Sequence, residues 1–281
     1  ERRKLTKMHG TYYNMGISDD NRMRCSFNPV GTGQARISSS QTIWGEGGNM
    51  QNLPSDMQKL LLADPGGIFV SQDLAQAENR VVAYEAIEMK MIEALEAGID
   101  IHSQTGCLIH GIPLDQCTPD VRTDGKVANH GLNYGFGANN FIDQYELDRE
   151  QGKFIWERYH QVYPSIKEWH AVIRSEVSNN GGLLRNSYGR SRRFIGDPKK
   201  DHRFWEKAYN FIPQSTVATK INRDGVKFLY YRQDLFPEVQ LSNTVHDSVQ
   251  YWIPLDIGLD RVVEIIRVVK KQLEQPLEIR G

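Results

Sequence analysis

The segment VQLSNTVHDSVQYWIP, residues 239–254, decides the fold because apolar stretches flank a polar His-Asp-Ser turn on both sides. This pattern predicts two β-strands joined by a tight turn, with Asp247 at the bend. Aspartate is common in turns that have only a structural role. The hairpin therefore predicts a sheet, and by itself it assigns no chemical role to Asp247.

A second strand also ends in a carboxylate. Residues 67–75, GIFVSQDLA, follow a Pro-Gly-Gly turn and predict a buried strand that ends at Asp73. An aspartate in this position commonly caps a helix. Together, however, two carboxylates from separate strands could hold two metal ions roughly 3.5–4 Å apart, the arrangement that serves phosphoryl displacement. The backbone carbonyl of Leu74, beside Asp73, is an oxygen ligand of the type that Mg²⁺ prefers.

The segment RTDGKVANHGLNYG, residues 122–135, predicts a helix with a distinctive stripe. At steps of four residues it carries two cations and two aromatic rings, namely Arg122, Lys126, His130 and Tyr134. Cations suit a triphosphate, and a ring can stack on a base. A solvated amphipathic face would give the same stripe, but glycine contributes no stability to such a helix. Gly125, Gly131 and Gly135 therefore favour close approach by a ligand, or a hinge.

The rest of the chain predicts helices and strands without an internal repeat. Strands and loops are expected over residues 1–54, and a second hairpin over 183–194. Helices are expected over residues 77–98, 103–111, 119–135, 140–175, 202–231 and 258–273. This mixture predicts the α+β class.

Composition excludes few classes of protein. Of the 281 residues, 39% are hydrophobic and 25% charged, the formal net charge is −1, and basic residues cluster at 2–7 and 190–203. These values are ordinary for a soluble globular protein, and neither a membrane helix nor a signal peptide is evident. Cys25, Cys107 and Cys117 lack metal-ligand spacing, which predicts a reducing compartment. Because the chain begins at Glu1 in a basic run, we expect a fragment of a longer protein.

The three segments together resemble the three polymerase motifs of family A (polymerase I-like) DNA polymerases, in the family's order. DLAQAENR at 73–80 is similar to the family's DYSQIELR, residues 122–135 to R-x3-K-x3-(F/Y)-x3-Y-G, and VHDS at 245–248 to VHDE. Further similar segments are GQARISSS at 33–40, NMQNLP at 49–54, DIHSQT at 100–105 and AYNFIPQSTVATK at 208–220. The resemblance covers nearly the whole chain.

The resemblance implies a template-directed DNA polymerase that adds dNTPs to a primer 3′-hydroxyl and releases pyrophosphate. It implies that Asp73, Asp247, Arg122 and Lys126 are catalytic, and that Asp73, the Leu74 carbonyl and Asp247 bind two Mg²⁺ ions, for which Mn²⁺ can substitute. The implied dNTP contacts are His102, Arg122, Lys126, His130, Tyr134, Gln76 and Glu78, with Glu78 rejecting ribonucleotides. The implied primer–template contacts are Arg36, Gln51, Asn52, Asn210, Gln214 and His246.

Three features depart from the family pattern. His130 stands where the family has Phe or Tyr beside the incoming sugar, which puts discrimination against dideoxynucleotides in doubt. Ser248 replaces the family's glutamate, so two core carboxylates are left. Residues 41–48, QTIWGEGG, expand a normally tight loop at the expected primer–template surface.

Two alternatives remain open. A single-subunit phage-type RNA polymerase shares the spacing of residues 122–135 and a His-Asp-Ser hairpin, although Glu78 favours DNA synthesis. A non-catalytic DNA-binding relative is the other alternative, although both metal-binding carboxylates are present. Substrate preference between dNTPs and rNTPs separates the first, and loss of magnesium-dependent turnover with DNA binding retained separates the second.

The resemblance also predicts the organisation of the chain as a polymerase right hand, with an antiparallel palm sheet and helical fingers. We expect palm over residues 1–95 with a thumb remnant at 1–8, fingers over 96–180, and the fingers end plus palm over 181–281, including a catalytic hairpin at 239–253. Most of the thumb and any exonuclease domain are expected outside this stretch. The expected partners are primer–template DNA and dNTPs, without a membrane, in a monomer of the bacterial or phage-infected cytoplasm that serves replication or repair.

Overall fold

The computed structural model describes residues 6, 8–13, 15–201 and 203–279. The chain forms two compact units, of which unit 1 comprises Glu1–Ala75 and Ala218–Pro276, and unit 2 comprises Gln76–Val217 and Leu277–Gly281. Most of the thumb remnant predicted at residues 1–8 lies outside the described residues. The boundaries of palm and fingers stay predictions.

The described strands come mostly in pairs, and a long run of helices separates β3 from β4. The strands are β1 (Ser26–Asn28), β2 (Ser38–Ser40), β3 (Gly67–Asp73), β4 (Leu183–Arg185), β5 (Ser191–Arg193), β6 (Gln240–Val245) and β7 (Ser248–Pro254). The α-helices are α1 (Ser55–Gln58), α2 (Ala77–Glu85), α3 (Met89–Glu96), α4 (Ile101–His110), α5 (Pro119–Leu132), α6 (Ala138–Tyr145), α7 (Arg149–Val162), α8 (Pro164–Asn179), α9 (Phe204–Lys220), α10 (Phe228–Tyr231) and α11 (Leu259–Leu273). Short 3₁₀-helices lie at Met50–Asn52 and Leu114–Gln116, and π-helical segments lie at Met8–Tyr13 and Ile221–Lys227. The α+β prediction is confirmed.

Unit 1 is built on a three-stranded antiparallel sheet with the strand order β3-β7-β6. Strands β6 and β7 are separated only by His246 and Asp247, which confirms the predicted hairpin. Alternate residues of β7, namely Val249, Tyr251 and Ile253, are fully buried and pack in one cluster with the apolar face of α11. Every second residue of β7 is buried, and the apolar residues of α11 that cover them recur every three to four positions. A shift of one residue would turn the buried side chains to the other face, so this packing fixes the register of the sheet.

Unit 2 is mainly helical, with the β4–β5 hairpin as its sheet. Large fully buried side chains form its interior, among them Ile101, Ile109, Leu132, Phe141, Ile155, Tyr159 and Tyr163. The predicted helices at 103–111, 119–135 and 140–175 are confirmed with small shifts of their ends, as is the hairpin at 183–194. Within the described residues, none of the helices is long and apolar enough to cross a membrane.

The prediction of one continuous helix over 77–98 is wrong. The chain forms α2 and α3 instead, because Ile87 between them adopts a left-handed conformation with φ +51°. The amide of Glu88 returns to the carbonyl of Ala83 at 2.9 Å, and the buried Glu88 carboxylate accepts a hydrogen bond from the Ser165 amide at 3.3 Å. A β-branched residue is costly in this conformation, so tertiary contacts at Glu88 override the helical pattern.

Helices α4 and α5 approach each other through two glycines. A Cβ on Gly125 would lie 2.0 Å from the carbonyl oxygen of His102, and one on Gly106 would lie 2.0 Å from that of Val121. Gly131 likewise leaves room for the Phe141 ring, which would lie 2.8 Å from an added Cβ. We predicted that the glycines of α5 admit a ligand or form a hinge. At Gly125 and Gly131 the structure shows instead that they allow close packing of neighbouring elements.

Candidate functional site

The two predicted metal-binding carboxylates lie at one end of the unit 1 sheet. Asp73 is the last residue of β3 and stands opposite Ser248, the first residue of β7. The next amide, that of Leu74, donates to the carbonyl of Asp247 at 3.0 Å. The sheet thus brings Asp73 and Asp247 onto neighbouring segments at the same edge, with Asp73 exposed and Asp247 half-buried.

The turn between β6 and β7 explains the serine that departs from the family pattern. The Ser248 hydroxyl donates to the carbonyl of Val245 at 2.9 Å, and the Thr244 hydroxyl donates to the carbonyl of Ser248 at 2.9 Å. His246 occupies the turn with φ +52° and is exposed. Ser248 is buried and closes the turn. Its role is therefore to stabilise the hairpin, and this position offers no third carboxylate.

The donor set at this sheet end suits a hard cation. Asp73, Asp247 and the Leu74 carbonyl offer oxygen atoms only, which is the ligand type of Mg²⁺. Across the described ranges, three or more His, Cys, Asp or Glu side chains do not gather in any arrangement that could hold a metal. A cation bound here would therefore take its remaining ligands from water and substrate, as Mg²⁺ commonly does.

Three predicted primer–template residues also belong to unit 1. The Gln51 amide donates to the carbonyl of Thr244 at 2.7 Å and so connects the 3₁₀-helix Met50–Asn52 to β6. Asn52 is exposed and Arg36 is half-buried. Their contacts with nucleic acid stay predictions.

The expanded loop at residues 41–48 is held by backbone hydrogen bonds, one within the loop and one to Gly16. The Thr42 amide donates to the carbonyl of Glu46 at 3.0 Å, and the Gly47 amide donates to that of Gly16 at 2.8 Å. At its tip Ile43 and Trp44 are 86% and 79% exposed. A place for this loop beside a primer–template also stays a prediction.

The cationic stripe of unit 2 is present on α5. Arg122, Lys126 and His130 are exposed at successive steps of four residues. Tyr134 differs from the prediction because α5 ends at Leu132 and the chain turns at Gly135, which has φ +76°. Tyr134 therefore lies in the closing turn, half-buried.

The Tyr134 hydroxyl donates a hydrogen bond to the carboxylate of Glu78, which lies in the first turn of α2. Two of the predicted dNTP contacts are thus coupled to each other. A third, Gln76, precedes α2 and donates from its side-chain amide to Asp100 at 3.1 Å.

Sequence reasoning missed Asp100, which orients Arg122. The guanidinium Nε of Arg122 donates to Asp100 Oδ2 at 2.9 Å, while the same carboxylate caps α4 through the Ser103 amide at 3.0 Å. Burial raises the pKa of Asp100, but hydrogen bonds from Ser103 and Arg122 outweigh it and leave the pKa lowered. Aspartate just before a helix was a usable cap signal, but its ion pair with Arg122 was not local.

His102, the predicted phosphate contact, lies on α4 with its ring half-buried. The pKa of His102 is lowered to about 4, chiefly by burial and also by neighbouring His130, Arg122 and Lys126, while Asp100 opposes them. His130 is exposed as a residue, but its imidazole is partly shielded from water, and this is the main cause of its lowered pKa. Its ring centroid lies 5.9 Å from that of His102. Near neutral pH the positive charges of this surface therefore come from Arg122 and Lys126.

The C-terminal end of α5 is held by a buried network around Asn133. The Asn133 side chain donates to Asn79 at 2.9 Å and accepts from the Tyr159 hydroxyl, while its backbone carbonyl accepts from His170 Nε2 at 2.8 Å. These partners come from α2, α7 and α8. Asn133 therefore positions the turn that presents Tyr134.

We expect the stability of the protein to fall as the pH is lowered from about 6.5 to 4. His170 is 4% exposed, and burial lowers its pKa from 6.5 to about 4. At pH 5 the unfolded chain therefore binds a proton at His170 that the folded chain does not bind. This lowers the free energy of unfolding by about 2 kcal/mol relative to pH 7.5. Urea unfolding at pH 7.5 and 5 measures this loss.

His170→Gln keeps a hydrogen-bond donor and removes the titration, so it should reduce the loss between the two pH values by that amount. Three other histidines with lowered pKa, His102, His130 and His160, act in the same direction and remain in the variant. An unchanged pH dependence in His170→Gln would contradict the assignment to His170.

Two predicted template and primer contacts lie on α9 in unit 2. Asn210 and Gln214 are four residues apart, so they share one face of the helix. The side-chain oxygen of Asn210 is buried and has no hydrogen-bond partner among the described residues. Such an orphaned acceptor is costly, which favours an external donor at this position.

The chain matches DNA polymerase family A over residues 1–280 and belongs to that family. Its relatives include the thermostable DNA polymerase I of Thermus aquaticus, which is 26% identical over 97% of this chain, and that of Thermus thermophilus, which is 28% identical over 99%. The DNA polymerase I of Aquifex aeolicus is 25% identical over 88% of this chain. This chain covers 33%, 34% and 41% of those three proteins, respectively.

The fold agrees with a solved polymerase structure. The POL domain of Pol1 from M. smegmatis, in complex with DNA primer-template and dNTP, superposes with a TM-score of 0.85 and 20% sequence identity. The alignment covers 99% of this chain and 50% of that one. The predicted polymerase fold is therefore confirmed.

Proposed function

We propose that this chain carries the active site of a DNA-directed DNA polymerase, which extends a primer 3′-hydroxyl with dNTPs under the direction of a template. The observation that carries the proposal is the convergence of Asp73 and Asp247 at one end of the sheet, in a chain of DNA polymerase family A. In the reaction the 3′-oxygen bonds to the α-phosphorus, and the bond to the departing pyrophosphate breaks.

Asp73, Asp247 and the Leu74 carbonyl are the residues that would hold Mg²⁺. A pair of magnesium ions, when bound, lowers the pKa of the attacking hydroxyl and stabilises the leaving oxygen. The two carboxylates would hold the ions in fixed positions, because their backbone segments are joined by the sheet register and by the hydrogen bond of the Leu74 amide. Replacement of the family glutamate by Ser248 leaves this pair as the acidic core.

Arg122 and Lys126 supply the cations for the triphosphate. Both are exposed on α5, and both are hydrogen-bond donors of the charged type that binds phosphate oxygens. The carboxylate of Asp100 holds Arg122 in place before a nucleotide arrives, which reduces the entropy lost on binding. His102 contributes a neutral hydrogen bond beside them.

The pair of Tyr134 and Glu78 is proposed to select deoxyribonucleotides. We expect Glu78→Ala to raise the ratio of kcat/KM for rNTPs over dNTPs by at least about tenfold, because it removes a side chain of several heavy atoms from the sugar pocket. It also releases the Tyr134 hydroxyl from its partner. Single-nucleotide incorporation with matched dNTP and rNTP measures the ratio.

Glu93→Ala on α3 is the matched control, since Glu93 is exposed on a neighbouring helix of the same unit. It should leave the ratio unchanged. Equal ratios for Glu78→Ala and the unmodified chain would contradict the sugar-selecting role of Glu78 and leave the polymerase proposal intact.

Extension of a labelled primer–template with magnesium tests the function itself. We expect templated addition of dNTPs in preference to rNTPs. Preferential addition of rNTPs would instead support the phage-type RNA polymerase alternative, and duplex binding without any addition would support a non-catalytic relative. The bacterial relatives named above give no support to a phage role, and a choice between replication and repair stays a prediction.

A further inference from the structure

Asn129 is buried on α5 and directed away from the cationic stripe. It is 1% exposed, although it lies between the exposed Lys126 and His130 in the sequence. Its side-chain nitrogen lies 3.4 Å from the carbonyl oxygen of Ile101, 3.2 Å from His102 Nδ1 and 3.1 Å from the Thr105 hydroxyl. All three partners belong to α4.

The carbonyl of Ile101 fixes the orientation of this amide. A carbonyl oxygen can only accept a hydrogen bond, so the NH₂ group of Asn129, and not its oxygen, must face it. The Asn129 oxygen in turn accepts from the Thr105 hydroxyl at 3.2 Å, and Thr105 is also bonded to the Tyr163 hydroxyl at 3.0 Å. The Thr105 hydroxyl lies about as close to the Asn129 nitrogen as to its oxygen and accommodates either orientation. The amide orientation therefore follows from the Ile101 carbonyl, a contact that does not involve the histidine.

The same NH₂ group faces His102 Nδ1, and an amide nitrogen cannot accept a hydrogen bond. Nδ1 must therefore present its lone pair. A neutral imidazole carries one proton, which leaves that proton on Nε2. We infer that Asn129 is a positioning residue that holds His102 in the Nε2–H tautomer, so that this histidine offers a directed neutral donor to an oxygen of the incoming triphosphate. This inference rests on the proposed function for its ligand, but the tautomer itself does not.

The surroundings keep the ring neutral. Burial and the nearby charges of His130, Arg122 and Lys126 lower the pKa of His102 to about 4, while the Asp100 carboxylate opposes them. Nε2 forms no hydrogen bond within the described part of the chain, so it is available to a ligand. The opposite tautomer would direct a lone pair at an anionic oxygen and would repel it.

The two close-approach glycines make this arrangement possible. Gly125 lies one turn before Asn129, and its missing side chain lets α5 approach the carbonyl of His102. At this separation the short side chain of Asn129 reaches the first turn of α4, where Ile101 and His102 lie. A larger separation would exceed the reach of a side chain with two torsions.

The direct test is the side-chain ¹⁵N spectrum of the ¹⁵N-histidine-labelled chain at pH 7.5, with His102 assigned by its loss in His102→Gln. We expect His102 as the Nε2–H tautomer. Asn129→Asp should convert it to the Nδ1–H tautomer or to imidazolium, because a carboxylate at this position accepts from Nδ1. Asn139→Asp, an exposed residue of α6, is the matched control and should leave the His102 signals unchanged.

In single-nucleotide incorporation, Asn129→Asp should raise the KM for dNTP about tenfold, with a smaller change in kcat. When Asn129→Asp is made in the His102→Gln variant, the KM should rise little further, because both substitutions act on the same hydrogen bond to the triphosphate. An Nδ1–H tautomer for His102 in the unmodified chain would overturn the inference, and that measurement needs neither a variant nor activity. A correct tautomer without any primer extension would instead count against the proposed function alone.

Discussion

Asp247→Asn is expected to reduce templated dNTP addition by at least about 10³-fold. The amide lacks the negative charge that would bind a metal ion, and such an ion stabilises the transition state by several kcal/mol. The fold should persist, since asparagine has nearly the size and shape of aspartate and keeps the backbone carbonyl that accepts from the Leu74 amide. Rapid-quench measurement of single-nucleotide incorporation at saturating primer–template and magnesium gives the rate of the chemical step.

The comparison set for this prediction lies in the same unit. Asp73→Asn should show a loss of similar size, and the double variant should lose little more than either, because both carboxylates serve one function. Asp256→Asn, an exposed residue after β7, should retain the activity. Binding of primer–template should remain within a few fold in every variant. Residual rates close to that of the unmodified chain for Asp247→Asn would contradict the metal-ligand assignment.

Gly125→Ala is expected to lower the free energy of unfolding by about 2 kcal/mol or more, despite the higher helix propensity of alanine. The added Cβ would lie 2.0 Å from the His102 carbonyl oxygen and 2.5 Å from the Gly106 amide nitrogen. Both are backbone atoms, so relief requires that α4 and α5 separate. Urea denaturation followed by circular dichroism measures the loss.

Gly137→Ala is the matched control for this substitution. A Cβ at Gly137 would have no atom within 4 Å, and its φ of −65° is open to any residue. Its effect should stay below about 1 kcal/mol, the scale of a helix-capping change. Similar unfolding midpoints for the two variants would show that α4 and α5 yield to the added methyl group.

The hairpin and the strand that ends at Asp73 were predictable because their signals are local. Apolar residues on each side of a polar turn specify both strands of the hairpin, and the Pro-Gly-Gly turn marks the start of β3. Their convergence could be anticipated only through the family resemblance. Burial of β7 against α11 then completes a sheet that the sequence pattern already favoured.

The supporting residues were not predictable because their partners are distant in the sequence. Asp100 is 22 residues from Arg122, and Asn133 is 54 residues from Asn79. The break at Ile87 was hidden for the same reason, since the contact of Glu88 with Ser165 spans 77 residues. Composition and periodicity describe a helix face, but they do not identify the element that packs against it.

Helix α5 carries two parallel rows at steps of four residues. The outer row, Arg122, Lys126 and His130, is exposed. The inner row, Gly125, Asn129 and the residue just after the helix, Asn133, touches the backbones and side chains of other helices. In random mutagenesis of this helix, the effect of a substitution should therefore depend on the row in which it falls. Changes in the outer row should alter nucleotide chemistry at nearly unchanged stability, whereas changes in the inner row should lower the free energy of unfolding as well, most of all at Gly125.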